Sequence, residues 1–436
     1  MIGGVQNIGR ITELRQRILF TFAMLAVYRV GAFVVTPGID PDVVGQFFEQ
    51  LEGTVFGLFN LFSGGALEQL SIFSLGIMPY ISASIILQLL TVVIPQLEQI
   101  KKEGEQGRKK LNQYTRYATI GLAIFQSLLI ATALENGQFG EGAVLNPGWS
   151  FRLMCMITLT TGTCFLMWLG EQITERGIGN GISMIIFASI IIGLPGAITQ
   201  LFQLVRTDQF SLVQVLFLAV FAVAVIGLVV VVERGQRRIP VQHARRVVGR
   251  RVQQGGMSYF PLRVNTAGVI PAIFASSLLM FPLTIGQFTD SPDVQQFIDR
   301  YLDPASVVYQ FFYIGLIIFF CYFYTAIMID PADVADNIKK SGAFIPGIRP
   351  GKKTAEHIDR VLTRVTLIGA LYMSAVCVLP TLLAVRADVP FYFGGTALLI
   401  VVGVGLDTIA QIEAHLVSRQ YEGFAEGTRI RGRLSR

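Results

Sequence analysis

The side chains that most often carry chemistry are sparse in this chain and do not cluster. The three histidines are far apart and belong to no HExxH pattern: His243, His357 and His415. The four cysteines all lie in apolar stretches, which is typical of small core residues rather than of a disulfide framework: Cys155, Cys164, Cys321 and Cys377. The sequence contains no GxxxxGK[ST] pattern for binding a nucleotide phosphate. We therefore expect no metal site, no cofactor and no enzymatic reaction.

Ionisable side chains are also rare within the apolar stretches. Arg29 and Asp407 are the main ones that fall inside predicted membrane spans. A charge within a membrane marks a candidate functional site, but both residues lie towards span ends, where snorkelling also explains them. The spans hold no chain of Asp, Glu and His residues that would relay protons or bind sodium. Ion-coupled transport therefore lacks its usual chemistry.

Six isoleucines are candidates for an apolar ring because of their spacing or their depth within a predicted span: Ile77, Ile81, Ile182, Ile186, Ile273 and Ile400. The first four form two pairs spaced four residues apart, so each pair shares one helix face. The last two each lie roughly 10 Å inside a predicted span, at about 1.5 Å per residue. Isoleucine is common in membrane helices, so the pattern by itself favours ordinary packing. The alternative is a hydrophobic constriction that gates by dewetting.

An interrupted apolar segment separates the first two predicted spans. It runs from Asn60 to Leu70, is too short to cross a bilayer, and is interrupted by Gly64 and Gly65. Irregular backbone is tolerated at membrane depth only where it is buried in protein or lines a cavity. The segment alone slightly favours an amphipathic helix on the outer surface. The alternative is a small re-entrant element that stops a pore.

Two loops between predicted spans are much longer than helix connections require. They are Glu233–Val264 and Asp330–Val365, whereas connections of about 2–8 residues are usual. Arginines concentrate in ERGQRRI (233–239) and GRRV (249–252), and GIRPG (347–351) places Arg349 in a constrained turn. Topogenic charge and anionic lipid explain the sign of these residues but not the loop length. A docking surface for a large acidic or phosphate-rich partner explains both.

The elements that must position these residues are stretches long enough to cross a membrane. Hydrophobic residues make up 52% of the 436-residue chain and charged residues only 15%, against about 25% charged in soluble proteins. A span needs roughly 20 apolar residues. Ten stretches are candidates: 18–36, 74–94, 117–134, 152–170, 179–196, 212–232, 266–286, 306–328, 366–385 and 393–412. We predict an all-α membrane protein, with the first stretch retained rather than cleaved as a signal peptide.

Basic residues fall in alternate segments between these spans. By the positive-inside rule, both termini and both long loops are cytoplasmic. Five spans on each side of the segment near residues 195–211 would give two halves of opposite topology. We therefore predict an N-terminal half, residues 1–196, which contains the interrupted segment. The C-terminal half, residues 197–436, contains the long loops 233–264 and 330–365.

Eight stretches of the sequence carry a resemblance to a known family: FSGGAL (62–67), GIMPYISASI (76–85), QYTRY (113–117), WLGEQITERGIGNGIS (168–183), VERGQRR (232–238), GVIPAIFASS (268–277), DNIKKSGAFIPGIRPG (336–351) and PFYFGGT (390–396). They resemble the SecY family, whose members form the channel of the protein-export translocon. The resemblance runs from about residue 10 to about residue 425.

The resemblance implies ten helices in two inverted five-helix halves that form a clamshell around an hourglass pore. It implies a pore ring at the six isoleucines and a plug at Asn60, Leu61, Phe62, Ser63, Gly64, Gly65, Ala66 and Leu67. It implies a lateral gate at Ser82, Gln88, Asn265 and Phe281. It implies contacts for a ribosome or a motor at Arg237, Arg238, Arg250, Arg251 and Arg349.

The same resemblance implies partners and a mechanism. The partners are SecE and SecG subunits, the SecA ATPase, the ribosome, anionic lipids and a translocating polypeptide that carries a signal sequence, at the plasma (inner) membrane. An unfolded chain would thread the apolar ring, and a sufficiently apolar segment would leave sideways into lipid. The competing hypotheses are a secondary transporter and a docking scaffold without transport.

Overall fold

The computed structural model shows a mostly helical chain. It describes residues 12–50, 60, 63–137, 139–140, 142–207, 211–243, 246–248, 251–253, 256–287, 296, 300–301, 306–387 and 395–427. The chain divides into two compact units, one formed by Met1–Ile198 with Val404–Arg436 and the other by Thr199–Gly403. The first boundary lies close to the predicted one, while the end of the chain belongs to the first unit. The two inverted topological halves stay a prediction.

Seven described helices lie along the chain up to residue 206. They are α1 (Thr12–Gly31), α2 (Pro41–Gln50), α3 (Met78–Val93), α4 (Pro95–Lys102), α5 (Glu105–Glu135), α6 (Trp149–Arg176) and α7 (Gly181–Arg206). Six more described helices follow: α8 (Leu212–Glu233), α9 (Ile270–Gln287), α10 (Val307–Met328), α11 (Pro331–Lys340), α12 (Lys352–Ala387) and α13 (Gly395–Gly427).

Six of these segments are long and apolar enough to cross a membrane, as far as the described residues reach. Their bounds are Glu105–Glu135, Trp149–Arg176, Val213–Glu233, Val307–Lys340, Lys352–Pro380 and Gly395–Val417. The bent pair α3 and α4 adds a seventh if it counts as one span, and shorter apolar helices occupy Gly181–Gly196 and Ile270–Leu279. Helix α1 falls outside this set because three arginines and a glutamate raise its charge. The chain is therefore a multi-pass membrane protein, and the count of ten spans stays a prediction.

The second predicted span ends in a sharp bend. Helices α3 and α4 meet at 99°, with Ile94 between them in an extended conformation at φ −99° and ψ 113°. Pro95 follows Ile94 and disfavours helical backbone at the residue before it. Helix α4 therefore leaves the direction of α3 and carries Lys101 and Lys102 in its last turn.

The two long loops contain strands that the sequence analysis did not predict. Strands β1 (Gln236–His243), β2 (Arg246–Val248), β3 (Arg251–Gln253) and β4 (Met257–Arg263) lie in the first loop, and β5 (Ala343–Phe344) lies in the second. The described strands form an antiparallel sheet in the order β4-β1-β5 and a separate β2–β3 pair. Strand β1 thus joins the two loops, since Gln242 pairs with Phe344 and His243 with Ala343.

An apolar cluster stabilises the structure that the two long loops form together, here named the loop subdomain. Its buried members are Ile239, Leu262, Ile345, Ile358 and Leu362. They come from both loops and from the start of α12, so the loops share one small core. Burying these side chains holds the sheet against α12, and the arginines beside the core are thereby presented on an ordered surface.

Candidate functional site

Residues 60–70, the predicted plug and here named the plug segment, are linked near both ends by two hydrogen bonds of the Asn60 side chain. Asn60 Nδ2 donates to Glu68 Oε2 at 3.0 Å, and the Glu68 backbone N–H donates to Asn60 Oδ1 at 3.2 Å. These two bonds tie one end of the segment to a point near the other. Leu61 and Phe62, which belong to the predicted plug, lie outside the described residues.

Two glycines turn the chain within this segment. Gly64 has φ +68° and Gly65 has φ +83°, a left-handed region that glycine adopts without steric cost. From Gly64 to Leu70 the chain turns rather than continuing as a helix, and Ala66 and Leu70 are completely buried. The amphipathic surface helix that the sequence alone slightly favoured is therefore wrong.

Consecutive residues of α1 hold the backbone of the plug segment. The Tyr28 hydroxyl donates to the Ser63 carbonyl oxygen at 2.8 Å and lies 2.6 Å from Ser189 Oγ of α7. Arg29 Nη1 donates to the Gly64 carbonyl oxygen at 2.9 Å. Tyr28 and Ser189 are 2% and 1% exposed, so these bonds are shielded from solvent. The charged residue that the sequence placed inside the first span therefore contacts the plug segment.

A small cavity joins the plug segment to three of the predicted ring isoleucines. Its volume is about 10 Å³, which is close to the minimum for one water molecule. The lining residues are Ser63, Ser74, Leu75, Gly76, Ile77, Met78, Ile81 and Ile186. The start of α3 and the second turn of α7 thus present apolar side chains beside the plug segment. Ile182 does not line this cavity and is partly buried next to Gly170.

The remaining two isoleucines lie in the second unit. Ile273 is partly buried in the first turn of α9, where its N–H reaches the Val269 carbonyl at 3.4 Å. Ile400 is fully buried in α13. A ring made by all six isoleucines stays a prediction.

The predicted gate residues are partly described. Ser82 is partly buried on α3. Gln88 Nε2 donates to Ser84 Oγ at 3.2 Å, while its buried Oε1 accepts no hydrogen bond within the described residues. Phe281 lies in α9, and its side chain falls outside the described residues.

Asn265 is anchored by a carboxylate that sequence analysis did not single out. Asn265 Nδ2 donates to Glu233 Oε1 at 2.7 Å and to the Gly268 carbonyl at 3.0 Å. Asn265 is 5% exposed. The bond joins the end of α8 to the turn before α9, so Glu233 fixes the orientation of the predicted gate amide.

The predicted docking arginines lie on the loop subdomain as far as they are described. Arg237 and Arg238 are exposed on β1, beside the buried Ile239. Arg349 is exposed, and its carbonyl accepts a hydrogen bond from Thr354 Oγ1 at 2.9 Å. The other two predicted docking arginines are not fully described. Arg251 begins β3, but its side chain lies outside the described residues, and Arg250 lies entirely outside them.

Sequence reasoning missed Tyr28, Ser189 and Glu233. Tyr28 and Ser189 are 161 positions apart, and neither carries a pattern that predicts a contact with the other. The sequence did mark the region around Tyr28 as a candidate site, because the next residue, Arg29, is a charged residue within an apolar stretch. Glu233 is the last residue of a long apolar helix. An acidic residue is ordinary at such a position, so the sequence did not single it out.

The fold and this site define a helical multi-pass membrane protein with a short, largely buried turn segment packed against apolar helices. The family model described as SecY matches residues 71–409. The chain is 53% identical to "Protein translocase subunit SecY" of Escherichia coli K12, over 97% of this chain and 96% of that one. It is 51% identical to the protein of that name from Pseudomonas aeruginosa PAO1, over the same shares. The chain belongs to the SecY family, a non-enzymatic family of protein translocase subunits.

Solved channel structures share the fold at low sequence identity. "The structure of a protein conducting channel" matches with a TM-score of 0.68 and 18% identity over 93% of both chains. A structure of a SecY protein whose plug domain is described as stabilising the closed state has a TM-score of 0.64 at 18% identity, again over 93% of both chains. Sec61 in a canine ribosome-channel complex has a TM-score of 0.62 at 17% identity over the same shares. The predicted helical channel fold and translocase function are confirmed.

Proposed function

We propose that this chain is the pore subunit through which unfolded polypeptides cross the membrane, with residues 60–70 as the plug of its closed state. The carrying observation is the small cavity shared by Ser63, Ile77, Ile81 and Ile186. A seal requires a stopper in contact with the narrowest apolar part of the passage, and a cavity lined by one residue of the segment and three of the proposed ring isoleucines supports such a contact. The plug domain described for a related SecY structure supports the assignment.

The ring isoleucines suit a passage that must accept many sequences. An apolar constriction offers no strong binding site to a polypeptide, and a narrow one excludes water and ions by dewetting. The residues of the proposed ring are Ile77, Ile81, Ile182, Ile186, Ile273 and Ile400. Ten helices in two inverted halves, divided near residue 197, would surround this ring as a clamshell.

The gate residues fit a sideways exit for apolar segments. A segment of roughly 20 apolar residues is more stable in lipid than in a watery passage. Ser82 and Gln88 on one side, with Asn265 and Phe281 on the other, would form the boundary that such a segment crosses. Polar segments would continue through the ring.

The loop subdomain provides the docking surface. Energy must come from a partner, because the sequence has no nucleotide-phosphate loop. A SecA-type motor and the ribosome would bind the surface that carries Arg237, Arg238, Arg250, Arg251 and Arg349. The canine Sec61 channel is described in a ribosome complex, which supports the second of these partners.

The remaining partners and the membrane follow from the family. SecE and SecG would complete the channel, and anionic lipids would face the basic loops. The family favours the plasma (inner) membrane, and the charge distribution favours an orientation with both termini in the cytoplasm.

Reconstitution tests this function against its two competitors. The full chain, its partner subunits and the motor are placed in lipid vesicles with ATP and a secretory polypeptide. The proposal predicts that the polypeptide becomes protected from added protease. Saturable uptake of a small solute without polypeptide protection would indicate a secondary transporter. Motor binding without either activity would indicate a scaffold.

A further inference from the structure

The Tyr28 hydroxyl lies between two acceptors but carries a single proton. It is 2.8 Å from the Ser63 carbonyl oxygen, which only accepts, so the hydroxyl proton belongs to that bond. Ser189 Oγ, at 2.6 Å on the other side, either donates to Tyr28 or donates to the Ile185 carbonyl at 2.9 Å. Ser189 therefore has a second partner within its own helix, and Tyr28 has a second acceptor within hydrogen-bonding distance.

We propose that Tyr28 and Ser189 form a hydrogen-bond switch that both holds the plug segment and eases its release. With the plug seated, Tyr28 donates to the Ser63 carbonyl. When the plug leaves, Tyr28 turns its proton to Ser189 Oγ, and Ser189 donates to Ile185. The Tyr28 and Ser189 hydroxyls then each keep an acceptor in both states, so release avoids the cost of an unpaired buried hydroxyl. This inference rests on the proposed plug function of residues 60–70.

Arg29 adds a second, stronger hold on the adjacent carbonyl. Its Nη1 donates to the Gly64 oxygen at 2.9 Å, and its guanidinium lies 4.3 Å from the centroid of the Phe33 ring. A hydrogen bond from a charged donor is stronger than a neutral one. Tyr28 and Arg29 thus bind two consecutive backbone carbonyls, and neither contact depends on a side chain of the plug.

The switch predicts opposite effects from two neighbouring substitutions. Tyr28→Phe removes the donor that holds the plug, so the channel opens at rest more often. Ser189→Ala removes the alternative acceptor, so plug release would leave a buried Tyr28 hydroxyl unpaired, and the channel opens less often. A purely structural role predicts that both substitutions loosen the site. Ser189→Thr keeps the hydroxyl and is the matched control.

The test is the resting open fraction of full-length channels with their partner subunits in planar bilayers. An Arg29→Gln background makes resting openings frequent enough for a decrease to be measured. In that background we expect Tyr28→Phe to raise the open fraction about two- to tenfold and Ser189→Ala to lower it by a similar factor. Ser189→Thr should match the background. Thermal unfolding of each variant checks that the fold is retained.

The results separate failure of the switch from failure of the plug. A change in the same direction for Tyr28→Phe and Ser189→Ala overturns the switch. If deletion of residues 60–70 raises conductance while Tyr28→Phe has no effect, the plug assignment stands and the switch is wrong. If that deletion leaves conductance unchanged, the plug assignment fails and the switch fails with it.

Discussion

Gly64→Ala is the sharpest probe of how the plug segment is seated, because Gly65 offers a matched control. Both residues have left-handed backbone, with φ +68° and φ +83°. An alanine Cβ at position 64 would lie 2.9 Å from the Tyr28 hydroxyl and 3.2 Å from the Ser189 Cα. A Cβ at position 65 would meet nothing within 4 Å.

The two substitutions therefore share the cost of backbone strain and differ in the cost of steric crowding. Left-handed backbone costs a residue with a Cβ about 1–2 kcal/mol, and this strain acts on the turn itself wherever the plug lies. Crowding at Gly64 adds about 1–3 kcal/mol, and only in the seated state. The Tyr28 hydroxyl cannot move away from the new Cβ without lengthening its hydrogen bond to the Ser63 carbonyl. The contact with Ser189 involves its Cα, so a side-chain rotation cannot relieve it.

Resting conductance in planar bilayers measures the difference. Since about 1.4 kcal/mol corresponds to a tenfold change in an equilibrium, crowding alone predicts an open fraction roughly tenfold higher for Gly64→Ala than for Gly65→Ala. Equal conductance of the two variants would refute the close packing of Gly64 against Tyr28 and Ser189. A larger conductance for Gly65→Ala would show that strain within the turn, rather than contact with the wall, decides closure.

Three further predictions concern other parts of the molecule. Gly162→Ala would place a Cβ 1.8 Å from a backbone carbonyl oxygen, while Gly121→Ala meets nothing within 4 Å; calorimetry should show a lower unfolding midpoint for the first variant only. Asn265→Ala removes a 2.7 Å bond to a carboxylate and should destabilise the fold by about 1–3 kcal/mol, measured by denaturant unfolding, and an unchanged free energy of unfolding would contradict this. Arg349→Glu should weaken motor-driven transport without raising leakage, whereas Ile400→Asn should raise resting conductance; identical behaviour of the two variants would favour a scaffold.

The membrane class was predictable because it depends on sums over many residues. Misassigning a few residues does not change the number of long apolar stretches or the segregation of charge between them. The class of membrane protein therefore follows from hydropathy and charge alone. Individual spans were less predictable. Helix α1 carries several charges, and the α3–α4 pair bends at Pro95, so neither qualifies as a simple apolar helix.

The loop strands and the hold on the plug were not predictable for a different reason. Strand β5 is two residues long and is defined by pairing with β1, about 100 positions earlier in the chain. The contact between Tyr28 and Ser189 likewise depends on two distant helices meeting. Both features arise from tertiary packing, and neither has a periodic signal in the local sequence.

The most direct test of the central claim follows a polypeptide through the channel. A secretory chain that carries a photo-crosslinker is stalled during transport in active membranes, and the crosslinked positions are identified by mass spectrometry. Passage through the isoleucine ring predicts crosslinks to Ile81, Ile186 and Ile273, and none to Leu216, which is 66% exposed on α8. Crosslinks that miss all three isoleucines would contradict a passage through this ring.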